Sequence, residues 1–422
     1  MIEKSKCSFC KTPLEHTFIN LGMSPLCESY RKPEDLKTME AFYPLHVYVC
    51  ENCYLVQLEE FVKPSEIFSD YAYFSSYSDY WLNHVKGYTN EMVDRFQIDE
   101  KCLVGEIASN DGYLLQYFVE KGIPVLGIEP AANVAEYAVK KNVRTEVKFF
   151  GVNTARELVG KYGKVDLLIG NNVLAHVPDI NDLVGGMKIF LKPGGIITME
   201  FPHLQRLVEG NQFDTIYHEH FSYLSFSAVE RIFAHHGLTL FDVDELPTHG
   251  GSIRIYARHF EDSSKHISEK VVEMKQREKD MGMLTLDYYR NFDEKVTETK
   301  RKILEFLIDA KRKGKKIAGY GAPGKGNTLL NYCGIRTDFI DFTVDRSPHK
   351  QGNYLPGTTI PIFAPEKLKE AKPDYIFILP WNLKDEIIEN HSYIREWGGK
   401  FVVPIPELLV CEPKEEIHLT SV

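Results

Sequence analysis

The chain has 422 residues, 43% hydrophobic and 26% charged, the composition of an ordinary globular protein. At roughly 100–200 residues per domain that length leaves room for several domains and ample core. Fifty Lys and Arg against sixty Asp and Glu give a net charge of −10, which argues against non-specific nucleic-acid binding and against an anionic membrane surface as partner. No run of about 18 apolar residues predicts a membrane span. The start, Met1 to Cys7, lacks the apolar stretch of a secretory signal, so the expected location is cytoplasmic.

Residues 1–70 hold two cysteine pairs, Cys7/Cys10 and Cys50/Cys53, spaced C-x2-C-x39-C-x2-C. This head is too short and polar for a large core, so a metal staple is the expected source of its stability. In a reducing compartment such pairs are metal ligands or redox dithiols rather than disulfides. Four thiolates on two tight turns suit tetrahedral zinc, and a full set of four leaves no open position, which makes the metal structural. Two unrelated buried pairs are the plainer alternative. Seven Lys and Arg against eleven Asp and Glu leave the head at −4, a poor phosphate binder. Cys27, Cys102, Cys333 and Cys411 are scattered singles.

A Tyr-rich stretch at 70–78 precedes a helix expected over 80–96. From Cys102 apolar strands (103–107, 125–128, 165–170, 195–201) alternate with amphipathic helices (112–121, 131–141, 153–161, 179–191). That alternation implies a parallel sheet covered on both faces. Ser227-Ala228-Val229-Glu230 has the form of a capping box, opening a helix that Gly237 stops. Strands at 238–244 and 252–258 flank the Gly250-Gly251 turn. Residues 262–313 are charge-rich and free of proline, and are expected to be joining helices. The rhythm then restarts with strands at 316–319, 339–344, 375–379 and 400–403. The fold class expected is α/β, with two doubly wound, Rossmann-like units behind the cysteine-rich head.

Chemistry gathers at the ends of these strands. Glu106-Ile107-Ala108-Ser109-Asn110-Asp111-Gly112 closes the first strand and opens a helix. Small polar residues there let the backbone approach a ligand, and Asp111 can take a cationic amine. The next strand ends in Glu129-Pro130, where an acid can accept hydrogen bonds from both hydroxyls of a ribose. No G-x-G-x-x-G cradle stands here. The pair therefore favours S-adenosylmethionine (SAM), which has a ribose and an ammonium but no pyrophosphate, over a dinucleotide. An acid that only caps a helix is the bland alternative. Asn171-Asn172-Val173-Leu174-Ala175-His176 and Glu200-Phe201-Pro202 put further polar groups on the same edge; His176 is read as a site residue rather than a satisfied buried histidine.

The densest cluster is Tyr217-His218-Glu219-His220. If extended, it places His218 and His220 on one face and Tyr217 and Glu219 on the other, whereas a turn mixes them. Two His and one Glu so close on a strand chelate a metal poorly, so acid–base chemistry is the expectation. In the second unit Gly319-Tyr320-Gly321-Ala322-Pro323-Gly324 matches G-x-G-x-x-G, with Asp345 where an NAD-binding acid stands. Pro323 and the following Lys325-Gly326-Asn327 depart from the dinucleotide pattern, and a Gly-rich loop with a lysine suits a diphosphate equally.

Together these motifs resemble the SAM-dependent C-methyltransferases of deoxysugar biosynthesis, the 3-C-methyltransferases of TDP-linked 4-ketosugars, over essentially the whole chain. The resemblance rests on the cysteine pairs, Asp70-Tyr71-Ala72-Tyr73-Phe74-Ser75-Ser76, Ser109 to Gly112, Asn171 to His176, Tyr217 to His220, His249-Gly250-Gly251-Ser252 and Tyr320 to Asn327. It implies an N-terminal zinc-binding domain (1–70), a class I methyltransferase Rossmann-like core (71–260), and a helical linker with a second Rossmann-like domain (261–422). It also implies His220 as the base, with Tyr217, Glu219, His176 and Tyr71 around the sugar. SAM would lie on Ser109, Asn110, Asp111, Gly112, Glu129, Pro130 and Asn172. The nucleotide-sugar would meet His249, Gly250, Ser252, Tyr320, Lys325 and Asn327. The implied cofactors are SAM and structural zinc, and the implied state is a monomer.

In the implied reaction the C4 ketone acidifies the neighbouring C–H and His220 removes that proton. Tyr217 and His176 donate to the oxyanion, and the carbanion attacks the SAM methyl in line. Glu219 orients an imidazole or binds the sugar. O- or N-methylation of a nucleotide-sugar and NAD-dependent sugar oxidation are the alternatives. One departure stands out. The family commonly has glycine where this chain has Ala108, and a Cβ there narrows the backbone approach to SAM.

Overall fold

The computed structural model describes residues 5–64, 66 and 75–411, so Tyr71 and its neighbours through Phe74 lie outside the described residues. The chain packs as two compact units that interleave in sequence. The first draws on residues up to Thr17, Val47–Gln205 and Glu219–Tyr289, and the second on Phe18–His46, Arg206–His218 and the chain from Arg290. Strand β1 (His16–Ser24) carries the chain from the first unit into the second, and β2 (Tyr43–Val49) brings it back. Within the first unit, β3 (Val56–Leu58) pairs antiparallel with the end of β2, Val47 opposite Leu58.

The first unit is built on β4 (Val104–Ile107), β5 (Val125–Ile128), β6 (Thr145–Glu146), β7 (Val165–Asn171), β8 (Leu191–Pro202), β10 (Leu238–Leu246) and β11 (Ser252–His259). The short β9 (Ser222–Tyr223) pairs instead with β3. The sheet order is β10-β11-β8-β7-β4-β5-β6. β4 to β8 are parallel, and β11 runs antiparallel to both β8 and β10. Helices Leu115–Glu120, Ala132–Lys140, Val152–Tyr162 and Ile180–Phe190 stand between the strands as the sequence predicts. On β7, Leu167 and Ile169 pack in a core with Phe118 and Tyr256, while Leu168 packs in another with Leu126 and Phe190. Both faces of the strand are therefore covered, which is why it reads as an unbroken apolar run. β4 has β5 on one side and β7 on the other, so the connections reverse here. The crevice beyond the carboxyl ends of β4 and β7 is where an open α/β sheet binds its ligand.

One helix start differs from expectation. The helix is Phe226–His235, and its cap is Ser225, whose hydroxyl accepts from the Ala228 N–H at 3.1 Å. Ser227 lies inside the first turn, because a distant carboxylate, Glu278, takes the N–H groups of Phe226 and Ser227 at 2.7 and 2.8 Å and does the work of the box. Sequence spacing cannot show that long-range cap.

The second unit's sheet runs β14 (Ile362–Phe363), β13 (Phe342–Val344), β12 (Ile317–Tyr320), β15 (Tyr375–Ile378), β16 (Lys400–Val403), β17 (Leu409–Cys411) in spatial order, parallel up to β16 with β17 antiparallel at the edge. β14 and β17 escape sequence reading because two or three residues carry no period. The strand expected from 339 begins at Phe342, since the N–H groups of Phe339 and Ile340 both turn back to the Arg336 carbonyl. Among the described residues no helix is long and apolar enough to cross a membrane.

Candidate active site and metal centre

The Sγ atoms of Cys7, Cys10, Cys50 and Cys53 all lie within 4.8 Å of one another. Cys7 and Cys53 lie 3.6 Å apart, Cys10 and Cys50 3.5 Å, and Cys10 and Cys53 3.6 Å. A tetrahedron of thiolates at about 2.3 Å from zinc has edges of about 3.8 Å, so the set fits zinc without rearrangement. Two matched turns build it. Lys11 and Tyr54, each following the second cysteine of a pair, take left-handed backbone (φ 63° and 60°), and their N–H groups return to the Cys7 and Cys50 carbonyls. Gln57 Nε2 donates to Cys7 Sγ at 3.2 Å, a bond that favours thiolate. Four sulfurs close the coordination sphere, so zinc here holds the fold and supplies no open position.

At the crevice, Ala108, Asn110 and Gly112 all have left-handed backbone (φ 55°, 48° and 76°), which doubles the loop back on itself. A Cβ on Gly112 would sit 3.1 Å from Ala138 and Val143, so its glycine serves packing as well as φ. Glu129 accepts from the N–H of Asn110 and of Ala131, both at 2.9 Å, and ties β5 to the loop after β4. Burial pushes its carboxyl up despite those bonds. Asp111 does take an amine, that of Lys141 at 3.3 Å. Pro130 follows Glu129 at the partly exposed rim.

Three buried acceptors along this edge, Ser109 Oγ, Asp111 Oδ1 and Asn172 Oδ1, have no protein partner. An unmet buried polar atom costs about 1–3 kcal/mol, so acceptors gathered on one edge call for a ligand rich in donors. SAM, with two ribose hydroxyls, an ammonium and a sulfonium charge, matches that demand. Ser109, Asp111, Glu129 and Asn172 are the residues that would hold it.

The Tyr217–His220 segment is a turn, centred on His218 and Glu219, and not a strand. His218 is buried in the second unit, its Nε2 3.2 Å from the Pro44 carbonyl and its ring 5.8 Å from Tyr43. Tyr217 also belongs to that unit and is partly exposed. His220 belongs to the first, with its ring 4.6 Å from His176, edge to face, and 6.3 Å from Tyr223. Its position is set by the next residue. The Phe221 N–H bonds the Ala175 carbonyl at 2.8 Å, and the Phe221 carbonyl takes the Leu58 N–H at 2.9 Å. Burial pushes His176 down to about 4, against an opposing hydrogen bond with the Glu219 backbone. His176 is therefore a neutral imidazole at pH 7. Glu219 is buried beside this pair in sequence, in the same unit.

Next to this edge lies a network of which the sequence singles out Glu200 and His249. The Glu200 carboxylate is fully buried and receives His84 Nε2 at 2.9 Å, Arg254 at 2.8 Å and the Thr248 hydroxyl at 2.9 Å. Those partners outweigh burial and hold it at about 2. Trp81 stacks on His84 at 5.0 Å and meets His249 edge-on at 5.4 Å. His249 lies 3.1 Å from Asn172 Nδ2. Trp81 and His84, three apart on helix Asp79–Phe96, were findable as an aromatic pair on one face. Gly250 and Ser252 complete the turn, with Ser252 Oγ donating to the Thr248 carbonyl at 2.9 Å.

In the second unit the Gly-rich turn is tied by its own acid. Asp345 accepts from the Ala322 and Ser347 N–H groups at 2.7 and 2.8 Å, and Gly321 N–H bonds the Val344 carbonyl at 2.7 Å. Each Asp345 oxygen thus holds one backbone N–H, as each Glu129 oxygen does in the first unit. Lys325 lies 4.8 Å from the Trp381 ring and donates to Asn382 at 2.7 Å. Trp381 Nε1 in turn donates to the buried Asp214 at 2.7 Å. Asn327 donates to the Cys27 carbonyl at 2.5 Å, and Tyr320 OH meets His391 Nε2 at 2.8 Å.

Three family models match consecutive parts of the chain: a zinc binding domain at residues 7–68, a methyltransferase domain at 84–243 and a C-methyltransferase C-terminal domain at 247–406. C-methyltransferase NovU of Streptomyces niveus is 36% identical over 389 residues, 92% of each chain. Solved structures give distant likenesses. The PH0226 protein of Pyrococcus horikoshii OT3 has TM-score 0.37 at 15% identity, over 47% of this chain and 99% of its own. A SAM-dependent methyltransferase of Clostridium acetobutylicum ATCC 824 has TM-score 0.35 at 12% identity, over 44% and 93%.

Proposed function

Since the chain belongs to the SAM-dependent C-methyltransferases with an N-terminal zinc-binding domain, we propose that its acceptor is a nucleotide-linked 4-keto-deoxysugar, methylated at C3 through an enolate. SAM supplies the methyl group. The carbon becomes nucleophilic only when the proton next to the C4 ketone is removed, and that task falls to a residue of this chain. The observation that carries the reading is the turn at His218-Glu219. It sends His218 to the Pro44 carbonyl and leaves His220 against the neutral His176. His220 is then the base. A neutral His176 keeps an N–H to donate to the developing oxyanion, and Tyr217 is a second donor. Glu219 and Tyr71 are the residues proposed for the sugar in this reading, and His249, Gly250, Ser252, Tyr320, Lys325 and Asn327 those proposed for the nucleotide-sugar. The three-part division at 1–70, 71–260 and 261–422, a cytoplasmic location and a monomeric state belong to the same proposal.

The test is His220→Ala, assayed with TDP-4-keto-6-deoxyglucose and methyl-labelled SAM. We expect SAM binding retained, methylation lowered by about 100-fold or more, and loss of solvent-deuterium exchange at C3. Near-normal methylation in His220→Ala with abolition in His218→Ala would move the base by two residues. Label on oxygen or nitrogen would replace C-methylation by the heteroatom alternative.

A further inference from the structure

His249 carries a combination that folding alone does not require. It is exposed, it is not glycine, and its backbone is left-handed (φ 53°, ψ 23°). Gly250 and Gly251 follow at φ 88° and 118°, so three successive residues have positive φ. A Gly-Gly turn relaxes readily unless it is pinned, and strained non-glycine backbone persists only where its surroundings over-determine it. The pin is Thr248. Its hydroxyl donates to the buried Glu200 carboxylate at 2.9 Å, and its carbonyl receives the Gly251 N–H and the Ser252 hydroxyl, both at 2.9 Å. Glu200 cannot drift, because Arg254 and His84 hold it from other elements. At the other end, the His249 ring is met by Asn172 at the end of β7 and by the edge of Trp81. A buried ion pair is weak evidence for stability, and its best-attested use is to fix a conformation.

We infer that Thr248 is a positioning residue for acceptor binding: Glu200 anchors its hydroxyl, and the anchored turn presents the His249 imidazole at the crevice beside Asn172. The inference rests on the reading that His249 contacts the acceptor substrate. Thr248 itself is buried.

The test compares Thr248→Val, which removes the hydroxyl at nearly constant shape, with Thr248→Ser, which keeps it. With TDP-4-keto-6-deoxyglucose and SAM, Thr248→Val should raise KM for the sugar by about 10-fold with kcat within about two-fold, and Thr248→Ser should restore KM to within about two-fold. A second readout needs no substrate. The imidazole nitrogen shifts of His249, followed by NMR in the full chain, should move in Thr248→Val and return in Thr248→Ser. Wild-type KM and wild-type His249 shifts in Thr248→Val overturn the inference, as does an equal loss in both variants that follows only a lowered melting temperature. His249→Ala with a normal KM overturns the substrate-contact reading instead, and a shifted His249 resonance in Thr248→Val would then leave the anchoring intact without that role.

Discussion

Both units bend the chain sharply, at Ala108–Gly112 after β4 and at Gly321–Gly324 after β12; an acid, Glu129 or Asp345, ties each bend through two backbone N–H groups, and the bends differ in what they leave unmet. In the first, Ser109 Oγ and Asp111 Oδ1 are buried without a protein partner, and Asn172 Oδ1 at the end of the neighbouring strand joins them. In the second, Asp345 takes the N–H groups of Ala322 and Ser347, and Gly321 is tied to Val344. The buried acceptor without a partner there, Asn327 Oδ1, lies within the helix and not in the turn. A G-x-G-x-x-G string taken alone would suggest the reverse, because only the second bend carries one. Glycines report where a backbone must turn tightly. Unmet acceptors report where a ligand must come.

The comparison is broken most forcefully through the zinc site, whose four cysteines lie in the first unit. Cys50→Ser/Cys53→Ser should reduce zinc from one per chain to none, and lose a large part of the roughly 10 kcal/mol or more that structural zinc contributes in small domains. Metal analysis and thermal melting check this; full zinc content in the double variant would show that other ligands bind it.

The next largest effect separates the two acids. Glu129→Ala removes the acceptor for the Asn110 and Ala131 N–H groups as well as for a ribose, so SAM affinity should fall by about 1–3 kcal/mol, measured by calorimetry. Asp345→Ala should leave SAM affinity unchanged while lowering stability by a similar amount, since it strands the N–H groups of Ala322 and Ser347. The reverse pattern would transfer the cofactor to the second unit.

A pH experiment sharpens the second unit's side. Burial pushes Asp214 up to about 6, against the charge of Lys325 and the Trp381 N–H. The folded carboxyl therefore holds its proton more tightly than the unfolded one, near pH 4. As an acid with a raised pKa it costs stability as pH climbs from about 4 to 6, and the full cost, about 2–3 kcal/mol, stands above that window. Asp214→Asn keeps an oxygen for Trp381, so it should flatten this slope and be more stable than wild type at pH 7.5 but not at pH 4. Urea midpoints at the two pH values decide it.

Most of the fold was legible because the strands of both units are covered on two faces, and Val125–Ile128 and Lys400–Val403 lie where their apolar runs place them. The four cysteines were legible for a simpler reason: zinc demands its ligand chemistry outright. What could not be read depended on distance along the chain. Glu278 caps a helix some fifty residues before it, and Glu200 unites His84, Thr248 and Arg254 from three elements. The turn at His218-Glu219 likewise decides which imidazole faces His176, and both outcomes were compatible with the same four letters.

The smallest effect tests the bends at the level of one methyl group. Ala108 stands where the resembling family usually has glycine, and the sequence suggests crowding of SAM as the consequence. The structure gives a second reason, since Ala108 has φ 55°, a conformation that costs an L-residue about 1 kcal/mol. Ala108→Gly should relieve that strain, but it also loosens the unfolded chain by about 0.4–1 kcal/mol. The two terms oppose, so stability should change by less than about 1 kcal/mol, and any gain should appear in SAM affinity. Gly321→Ala in the other bend meets no such cancellation. Its φ is 87°, and the added Cβ would fall 2.6 Å from Pro380 Cδ, so strain and overlap act together and the loss should exceed about 1 kcal/mol. Denaturant melts of both variants check the contrast. Equal losses at the two positions would mean that the first bend is as closed upon itself as the second, and the unmet acceptors along it would lose their meaning as a ligand edge.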